Sequence, residues 1–254
     1  GRNLCSFCRA GLMSSALNNE KIWAVLPAAG VGSRMQADRP KQYLPIGGRF
    51  LLDHTLETML SYPAFEHVVV VLSEQDPYWP QAQFANDPRV IRALGGSERC
   101  HSVLNGLNAL DGIASNNDWV AVHDIARPCL RHSDLDILFE QLGHDGAILA
   151  SPTRDTMKRG VLQPDGSVLI QQTVDRDQLW HALTPQVFRL GQLRQALEKS
   201  LVDGFEVTDE ASAIEHLGGT PRLVAGRADN IKVTRPEDLA LAELFINQNK
   251  ATSK

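Results

Sequence analysis

The sequence lacks the long apolar runs of a membrane protein and the dense cysteine content of a disulfide-stabilised one. None of its apolar stretches approaches the roughly 20 residues that a transmembrane helix needs, and 254 residues contain four cysteines. Cys5 and Cys8 form a CxxC pair without the further ligands that a zinc site requires. The net charge of −5 provides no broad basic surface for nucleic acid. We therefore expect a reduced, cytoplasmic protein that binds neither membranes nor nucleic acid.

Short apolar segments alternate with amphipathic ones along most of the chain. The predicted strands are 21–26, 67–72, 90–94, 119–122 and 147–150, and the helices between them are 51–60, 97–110 and 133–142. This alternation indicates right-handed βαβ units, hence an α/β fold with a mostly parallel, twisted sheet and helices on both faces. Ligands bind beyond the carboxyl ends of the strands in such sheets, so the loops at those ends are the candidate site.

Two extended segments then interrupt the alternation. They flank Gln163-Pro164-Asp165-Gly166, a turn signal, so residues from about 156 to 175 are predicted to form a projecting β-hairpin arm. An isolated two-stranded ribbon is marginal in water unless it packs on another surface. A second copy of the chain is the simplest partner, which predicts a homodimer formed through the arm.

The remaining segments complete a single predicted domain at 21–248, preceded by a mobile tail at 1–20. Helices are predicted at 190–200, 209–217 and 236–246, and short strands at 223–224 and 231–233. Trp180 and His181 follow the arm, and an apolar strand explains them as core residues. No internal repeat and no linker divides this region.

The first predicted strand runs into a glycine-containing loop, PAAGVGSRM at 27–35. Glycines let the backbone amides approach a phosphate closely. Met35 and the absence of a ribose-binding acid argue against an NAD-dependent dehydrogenase, and a Walker loop is excluded because Gly-Lys-Ser/Thr is missing. Arg34 and Lys41 would stabilise the charge on a triphosphate under attack. The loop alone fits a tight turn beside two solvated cations equally well.

Two further loops follow predicted strands. Gly96 and Ser97 open a helix, where backbone groups and a hydroxyl could pair with a base edge, although a plain helix cap is the simpler interpretation. Asp124 ends the fourth strand and is well placed to hold Mg²⁺, with Asp229 as a possible second ligand. A turn cap is the commoner use of such aspartates. His123 is interpreted as structural.

The blocks PAAGVGSRM and PKQYLPIGG resemble the opening of the nucleotidyltransferases that make activated sugars and polyols. More narrowly, the chain resembles the 2-C-methyl-D-erythritol 4-phosphate cytidylyltransferases of the non-mevalonate isoprenoid pathway. The resemblance extends from 22 to 246 through the ordered blocks GGSERCHSV, HDIARP, RDTMKR, TVDRDQLWHALTPQ, TDEASA and GRADNIKVTRPEDL. It implies a Rossmann-like nucleotidyltransferase fold and the Mg²⁺-dependent transfer of CMP from CTP to a small phosphorylated polyol. Ribitol 5-phosphate is the alternative substrate.

The resemblance also assigns roles to individual residues. Those implied in nucleotide binding are Pro27, Ala28, Ala29, Gly30, Gly32, Gly96, Ser97 and Ser102. Those implied in catalysis are Arg34, Lys41, Arg176 and Lys232, and the metal ligands are Asp124 and Asp229. Those implied in binding the polyol phosphate are Arg127, Thr156, Arg176, Thr184, Thr208 and Lys232. Two details stand out: the family often has an acid where Ser97 stands, and Thr156 is placed to reach the site of a neighbouring subunit.

Overall fold

The computed structural model describes residues 20–30 and 38–252. The predicted tail, apart from Glu20, lies outside the described residues, and so do Gly32 and Arg34. The strands are β1 (Ile22–Pro27), β2 (Pro45–Ile46), β3 (Arg49–Phe50), β4 (Phe65–Leu72), β5 (Val90–Leu94), β6 (Trp119–Val122), β7 (Ala147–Pro152), β8 (Met157–Leu162), β9 (Val168–Val174), β10 (Trp180–Arg189) and β11 (Arg222–Ala225). The helices are α1 (Leu51–Leu60), α2 (Arg99–Asn108), α3 (His132–Glu140), α4 (Leu190–Val202), α5 (Glu210–His216) and α6 (Pro236–Thr252).

Seven of the described strands form one mostly parallel sheet in the order β11-β7-β10-β6-β1-β4-β5. At its centre, Val25 pairs in parallel with Val69 on one side and with Val122 on the other. β10 is antiparallel to both of its neighbours, β6 and β7. The predicted mostly parallel α/β sheet is confirmed, and β10 is where the chain returns from the arm against the direction of the other strands.

Helices cover both faces of this sheet. Alternate residues of β1 point to opposite faces, so Ala24 and Leu26 belong to one apolar cluster and Trp23 and Val25 to another. The first cluster contains residues of α1 and α3, and the second contains residues of α2, α4 and α5. α6 contributes to a smaller third cluster together with β2. The predicted placement of helices on both faces is therefore confirmed.

The arm is an antiparallel hairpin of β8 and β9, separate from the main sheet. Its turn is closed by the Gly166 N–H, which donates to the Gln163 carbonyl at 3.0 Å, with φ of 85° at Gly166. Leu162 and Ile170 are 72% and 68% exposed. The predicted hairpin is confirmed, and within one chain its apolar side chains face solvent.

Two local predictions are wrong. Residues 231–233 form no strand, because this segment is held by a bond from the Val233 N–H to the Ala126 carbonyl (2.8 Å) rather than by a ladder. His181 is exposed and not a core residue, because it lies near the end of β10 that leads from the arm, whereas the neighbouring Trp180 is half-buried and packs against the second apolar cluster. Among the described helices, none combines the length and the apolar character needed to cross a bilayer.

Candidate active site

A cavity of about 250 Å³ opens at the carboxyl ends of β1, β5 and β6. This is the edge of a parallel sheet at which ligands are expected. The predicted site residues that line it are Pro27, Ala28, Ala29, Gly30, Lys41, Gly96, Ser97, Ser102, Asp124 and Lys232. The structure therefore brings the predicted nucleotide residues, two predicted cations and one predicted metal ligand into the same space.

A larger cleft of about 850 Å³ lies at the opposite edge of the sheet, where β6 begins. Its charged groups pair with each other: Arg189 binds Glu20 at 3.1 Å and stacks over the ring of Trp119 at 3.7 Å. Trp119 Nε1 also donates to Glu20 at 2.6 Å. These contacts satisfy the guanidinium and the carboxylate, so the smaller cavity is the better candidate for binding phosphates.

The described start of the loop after β1, residues 28–30, is held by a side chain that the sequence did not single out. Gln42 is buried, and its Nε2 donates to the carbonyls of Ala28 (2.8 Å) and Gly30 (3.2 Å). The neighbouring Tyr43 is fully buried and donates its hydroxyl proton to Asp76 at 2.5 Å. The segment that carries Lys41 is thereby anchored in the core. The only signal for Gln42 in the sequence was its place beside Lys41.

Glycines allow the loop after β5 to approach the loop after β1. A Cβ added at Gly95 would lie 2.4 Å from the Cβ of Ala29, and one at Gly96 would lie 2.4 Å from the Cβ of His101. Ser102 Oγ accepts from the Gly96 N–H at 3.1 Å, so this bond does not use the hydroxyl proton of Ser102. A larger residue at 95 would push the two loops apart, and one at 96 would collide with His101 in the first turns of α2.

Asp124 lies at the centre of the charged part of the cavity. Arg99 Nη2 contacts its Oδ1 at 2.9 Å, while Arg127 Nε and Lys232 Nζ contact its Oδ2 at 3.4 and 3.5 Å. Burial alone would raise the pKa of Asp124, but the charges of these three cations outweigh burial and hold the pKa well below its ordinary value. The carboxylate therefore stays ionised at neutral pH.

A chain of buried hydrogen bonds fixes the backbone at Asp124. The Asp124 N–H donates to Thr184 Oγ1 at 3.0 Å, and this hydroxyl lies 2.9 Å from His123 Nδ1. His123 Nε2 lies 3.0 Å from the Arg127 carbonyl, which can only accept, so Nε2 carries the proton and Nδ1 accepts from Thr184. Burial lowers the pKa of His123 to about 4, which keeps the ring neutral. The structural interpretation of His123 is supported.

These bonds also show what two predicted substrate residues do in the structure. The hydroxyl proton of Thr184 is engaged by His123, and Thr184 forms a cis peptide bond with Pro185. Arg127 is buried, and its Nη1 donates to the Asn230 carbonyl at 2.7 Å, which holds the loop that carries Lys232. Thr184 therefore holds the backbone of Asp124, and Arg127 holds the loop that carries Lys232. Their contact with a substrate phosphate stays a prediction.

Arg99 and Glu210 join this cluster, although no sequence pattern assigned either of them a role. Arg99 lines the cavity, and its guanidinium forms an ion pair with Glu210, a fully buried carboxylate at the start of α5. Burial alone would lower the pKa of Arg99, but Glu210 and Asp124 raise it above its ordinary value. The two partners are separated by 111 positions in the sequence, so no local pattern could have revealed the pair.

The structure does not bring Asp229 into the lining of the cavity. Its carboxylate is bound by Arg131 at 2.5 Å and by Arg227 at 3.4 Å. Both oxygens of Asp229 thus already have a cationic partner. Its assignment as a second metal ligand stays a prediction that this arrangement does not support.

Five predicted polyol-phosphate residues lie outside the cavity lining: the buried Arg127 and Thr184 described above, and three more. Thr156, Arg176 and Thr208 are all exposed. Arg176, at the base of the arm, donates from Nη1 to the Arg154 carbonyl at 2.5 Å. Thr208 lies just before α5, where its N–H donates to Ser212 Oγ at 3.1 Å. Within one chain these side chains are not gathered with Lys41 and Asp124, and their roles stay predictions.

The mostly parallel sheet, with cations around one carboxylate in a cavity at its carboxyl edge, fits the class of nucleotidyltransferases that the sequence blocks resemble. The family model described as IspD, 2-C-methyl-D-erythritol 4-phosphate cytidylyltransferase, matches residues 22–248. The chain belongs to this family, and the resemblance noted in its sequence is confirmed.

Individual relatives agree with the family model. A protein from Vibrio atlanticus named 2-C-methyl-D-erythritol 4-phosphate cytidylyltransferase is 54% identical over 91% of this chain and 97% of its own length. One of the same name from Pseudomonas putida is 57% identical over 85% of this chain and 92% of its own. A solved structure of the Francisella tularensis enzyme has a TM-score of 0.76 at 34% identity, covering 89% of this chain and 99% of that one.

Proposed function

We propose that this chain transfers CMP from CTP to 2-C-methyl-D-erythritol 4-phosphate, forming 4-diphosphocytidyl-2-C-methyl-D-erythritol and pyrophosphate. The observation that carries the proposal is the cavity at the carboxyl ends of β1, β5 and β6, in which Lys41, Lys232 and Asp124 face one space. Family membership favours the methylerythritol substrate over ribitol 5-phosphate, which the sequence left open.

The reaction is an in-line displacement at the α-phosphorus of CTP. A phosphate oxygen of the polyol substrate forms the new P–O bond, the bond to the bridging oxygen breaks, and pyrophosphate leaves with the electron pair. A phosphate monoester has its second pKa near 6 and is largely a dianion at neutral pH. The attacking oxygen therefore needs no general base.

The obstacle is the repulsion between two polyanions. Lys41 and Lys232 reach the cavity from separate segments of the chain, and their charges would stabilise the crowded phosphates of the transition state. Lys232 also lies close enough to Asp124 for one ammonium to contact both the carboxylate and a phosphate. Arg34 is expected to add a third cation to the triphosphate. Holding both reactants in line lowers the entropic part of the barrier.

The donor set of the cavity fits a magnesium ion. Mg²⁺ prefers one or two carboxylates together with phosphate oxygens and water, and the ionised carboxylate of Asp124 lines the space that the triphosphate would occupy. When bound, the ion would neutralise phosphate charge and polarise the α-phosphoryl group. We assign Asp124 as the ligand that the protein supplies.

The nucleotide base is assigned to the loop after β5. Main-chain groups of Gly96 and Ser97 and the hydroxyl of Ser102 line the cavity and offer hydrogen bonds of the kind that a cytosine edge requires. Ser97 stands where the family often has an acid. A main-chain contact at this position would preserve recognition of the base whatever the side chain is.

The arm is assigned to a homodimer. An apolar strip runs along it, with Leu162, Val168 and Ile170 more than half exposed, and a hairpin of this kind needs a partner surface. Thr156 and Arg176 flank the base of the arm and lie outside the cavity of their own chain. In a dimer they would complete the polyol-phosphate side of the partner's cavity.

The central experiment measures pyrophosphate release from CTP with Mg²⁺. We expect kcat/KM for 2-C-methyl-D-erythritol 4-phosphate to exceed that for ribitol 5-phosphate at least about 100-fold, because a site built around one polyol leaves polar groups unpaired with another. Chelation by EDTA should stop the reaction and added Mg²⁺ restore it. A preference for ribitol 5-phosphate, or no release with either substrate, would refute the proposal.

A further inference from the structure

We infer that Arg99 and Glu210 are positioning residues that set the carboxylate of Asp124 for a divalent cation. The inference rests on the proposed function, in which Asp124 is the protein's ligand to the metal. It gives a role to two residues for which the sequence suggested none. Neither residue takes part in the group transfer itself.

The guanidinium of Arg99 lies between the carboxylates of Glu210 and Asp124 and contacts both, and this three-residue arrangement is called the bridge. Arg99 lies in the first turn of α2 and Glu210 is the first residue of α5. The guanidinium between them uses Nη1 for one oxygen of Glu210 and Nη2 for the other, at 3.4 Å, while Nη2 also donates to Asp124 Oδ1 at 2.9 Å. A planar fork can hold two carboxylates at once, which the single ammonium of lysine does less well.

Because of the bridge, the two carboxylate oxygens of Asp124 have different partners. Oδ1 receives the fixed guanidinium of Arg99, whereas Oδ2 faces the longer contacts from Arg127 and Lys232 at 3.4 and 3.5 Å. Glu210 is 0% exposed, so it fixes the guanidinium from the protein interior. The carboxylate of Asp124 is thereby held in one orientation before any ligand arrives.

The bridge also sets the charge that a metal ion would meet. Among the described residues, three cations contact Asp124, and a dication brought to that carboxylate is repelled by each of them. Glu210 offsets the charge of Arg99. Without Glu210, the full positive charge of Arg99 would weaken the binding of a metal ion to the carboxylate of Asp124.

Stability alone does not explain the pair. A buried ion pair commonly contributes no more to stability than well-packed apolar side chains of similar volume, because both ions must lose their hydration. Arg99 lines the reaction cavity, whereas a purely structural pair has no need to contact Asp124. The contact with Asp124 is what the inference explains.

The first test is the Glu210→Gln variant, which keeps the shape of the side chain and removes its charge. Calorimetry without the polyol phosphate would measure the Kd of CTP in EDTA and in excess Mn²⁺. The ratio of the two Kd values is the Mn²⁺ factor. We expect this factor to fall at least about fivefold in the variant, because the charge of Arg99 is no longer offset. An unchanged factor in a folded E210Q protein would overturn the inference.

Two control variants separate this result from other failures. Glu57→Gln removes the carboxylate of another Arg–Glu ion pair, the more exposed one of Glu57 with Arg49 at 2.8 Å away from the cavity, and should leave the Mn²⁺ factor unchanged. Asp124→Asn should bring the factor close to one. If D124N retains the wild-type factor, the metal assignment in the proposed function fails. If D124N loses it and E210Q keeps it, only the positioning inference fails.

The second test replaces both partners, Arg99→Met together with Glu210→Leu. The net charge around Asp124 is preserved and an apolar pair commonly preserves stability, so this protein can be measured even if E210Q does not fold. We expect the Mn²⁺ factor to stay within about twofold of the wild-type factor. We expect kcat to be at least tenfold lower, because Oδ1 of Asp124 has lost the donor that orients it. A wild-type kcat would show that the pair has no positioning role.

Discussion

The residues proposed for the nucleotide and those proposed for the polyol phosphate differ in how far one chain brings them together. On the nucleotide side, the loops after β1, β5 and β6 meet in a cavity in which Lys41 and Asp124 are already in place. On the other side, Thr156 and Arg176 are exposed at the base of a hairpin that contacts solvent. The residues proposed for the nucleotide are preorganised within the chain, whereas Thr156 and Arg176 are not gathered with them.

The physical cause of this difference is burial. Asp124 is surrounded by groups whose polar atoms would be costly to bury unpaired, and the hydrogen bonds through Thr184 and His123 satisfy them. On the arm, by contrast, the apolar side chains of Leu162, Val168 and Ile170 are more than half exposed, and Arg176 at its base contacts the Arg154 carbonyl rather than the cavity. Four predictions test the comparison, from the largest expected effect to the smallest.

The largest effect is expected on the preorganised side. Lys41→Ala should lower kcat on the order of 1000-fold, because one cation aimed at the developing phosphate charge is lost from a partly enclosed site. Steady-state pyrophosphate release measures the effect, and circular dichroism should show an intact fold. Arg39→Ala removes a neighbouring cation outside the cavity lining and serves as the control. Near-normal turnover in the Lys41 variant would remove this residue from the mechanism.

The next effect concerns the arm. Leu162→Lys combined with Ile170→Lys places charges on the apolar strip and should convert a dimer into a monomer in sedimentation velocity. Activity should fall about 100-fold, because Thr156 and Arg176 would no longer reach a partner's cavity. Val202→Lys, at a position 82% exposed on α4, is the matched control. A wild-type protein that sediments as a monomer would contradict the proposed dimer.

A smaller effect is expected from one residue of the arm. Arg176→Ala should reduce kcat/KM for the polyol phosphate about 50-fold, the value of one charge-assisted contact to a phosphate, while KM for CTP stays within about twofold. Arg159→Ala tests whether any exposed cation on the arm has the same effect. If Arg176→Ala changed only the dependence on CTP, the assignment of two separate halves would be wrong.

The smallest effect is on stability and concerns the hydrogen bonds behind Asp124. His123 has a pKa lowered from 6.5 to about 4 in the folded state, so the unfolded chain binds more protons between these values. Lowering the pH from 7 to 5 should therefore cost about 2 kcal/mol of unfolding free energy through this residue. Urea unfolding at both pH values should show a smaller loss in His123→Gln. Equal losses in both proteins would contradict the buried neutral ring.

The fold was predictable to a large extent because its periodicities are local. The alternation of buried strands with amphipathic helices gave β5 and α1 with the bounds that the structure has, and a four-residue turn signal located the arm. The strand predicted at 231–233 was wrong because the conformation of this segment depends on a contact that is distant in the sequence. Its apolar residues are held by one hydrogen bond to a distant loop, which no pattern in the neighbouring sequence indicates.

The site was predictable where motifs lie at strand ends and unpredictable where function depends on partners. Of the four residues implied in catalysis, Lys41 and Lys232 line one cavity with Asp124, whereas Arg176 lies outside its lining and Arg34 outside the described residues. The catalytic roles of all four stay predictions. Arg127 and Asp229 carry the charges expected of ligands, yet the structure places them in contacts with other parts of the protein. A charged residue in a motif shows what it can bind, but the neighbouring segments decide what it does bind.

By itself, the sequence determined the class of fold, the hairpin and the family, because these depend on apolar spacing, turn residues and blocks in a fixed order. Only the tertiary structure decided which cations surround Asp124, that Gln42 holds the start of the loop after β1, and that Arg99 is paired with a carboxylate 111 positions away. The reason is physical: periodicity acts between near neighbours in the chain. Ion pairs and buried hydrogen bonds act between near neighbours in space, and folding alone brings those together.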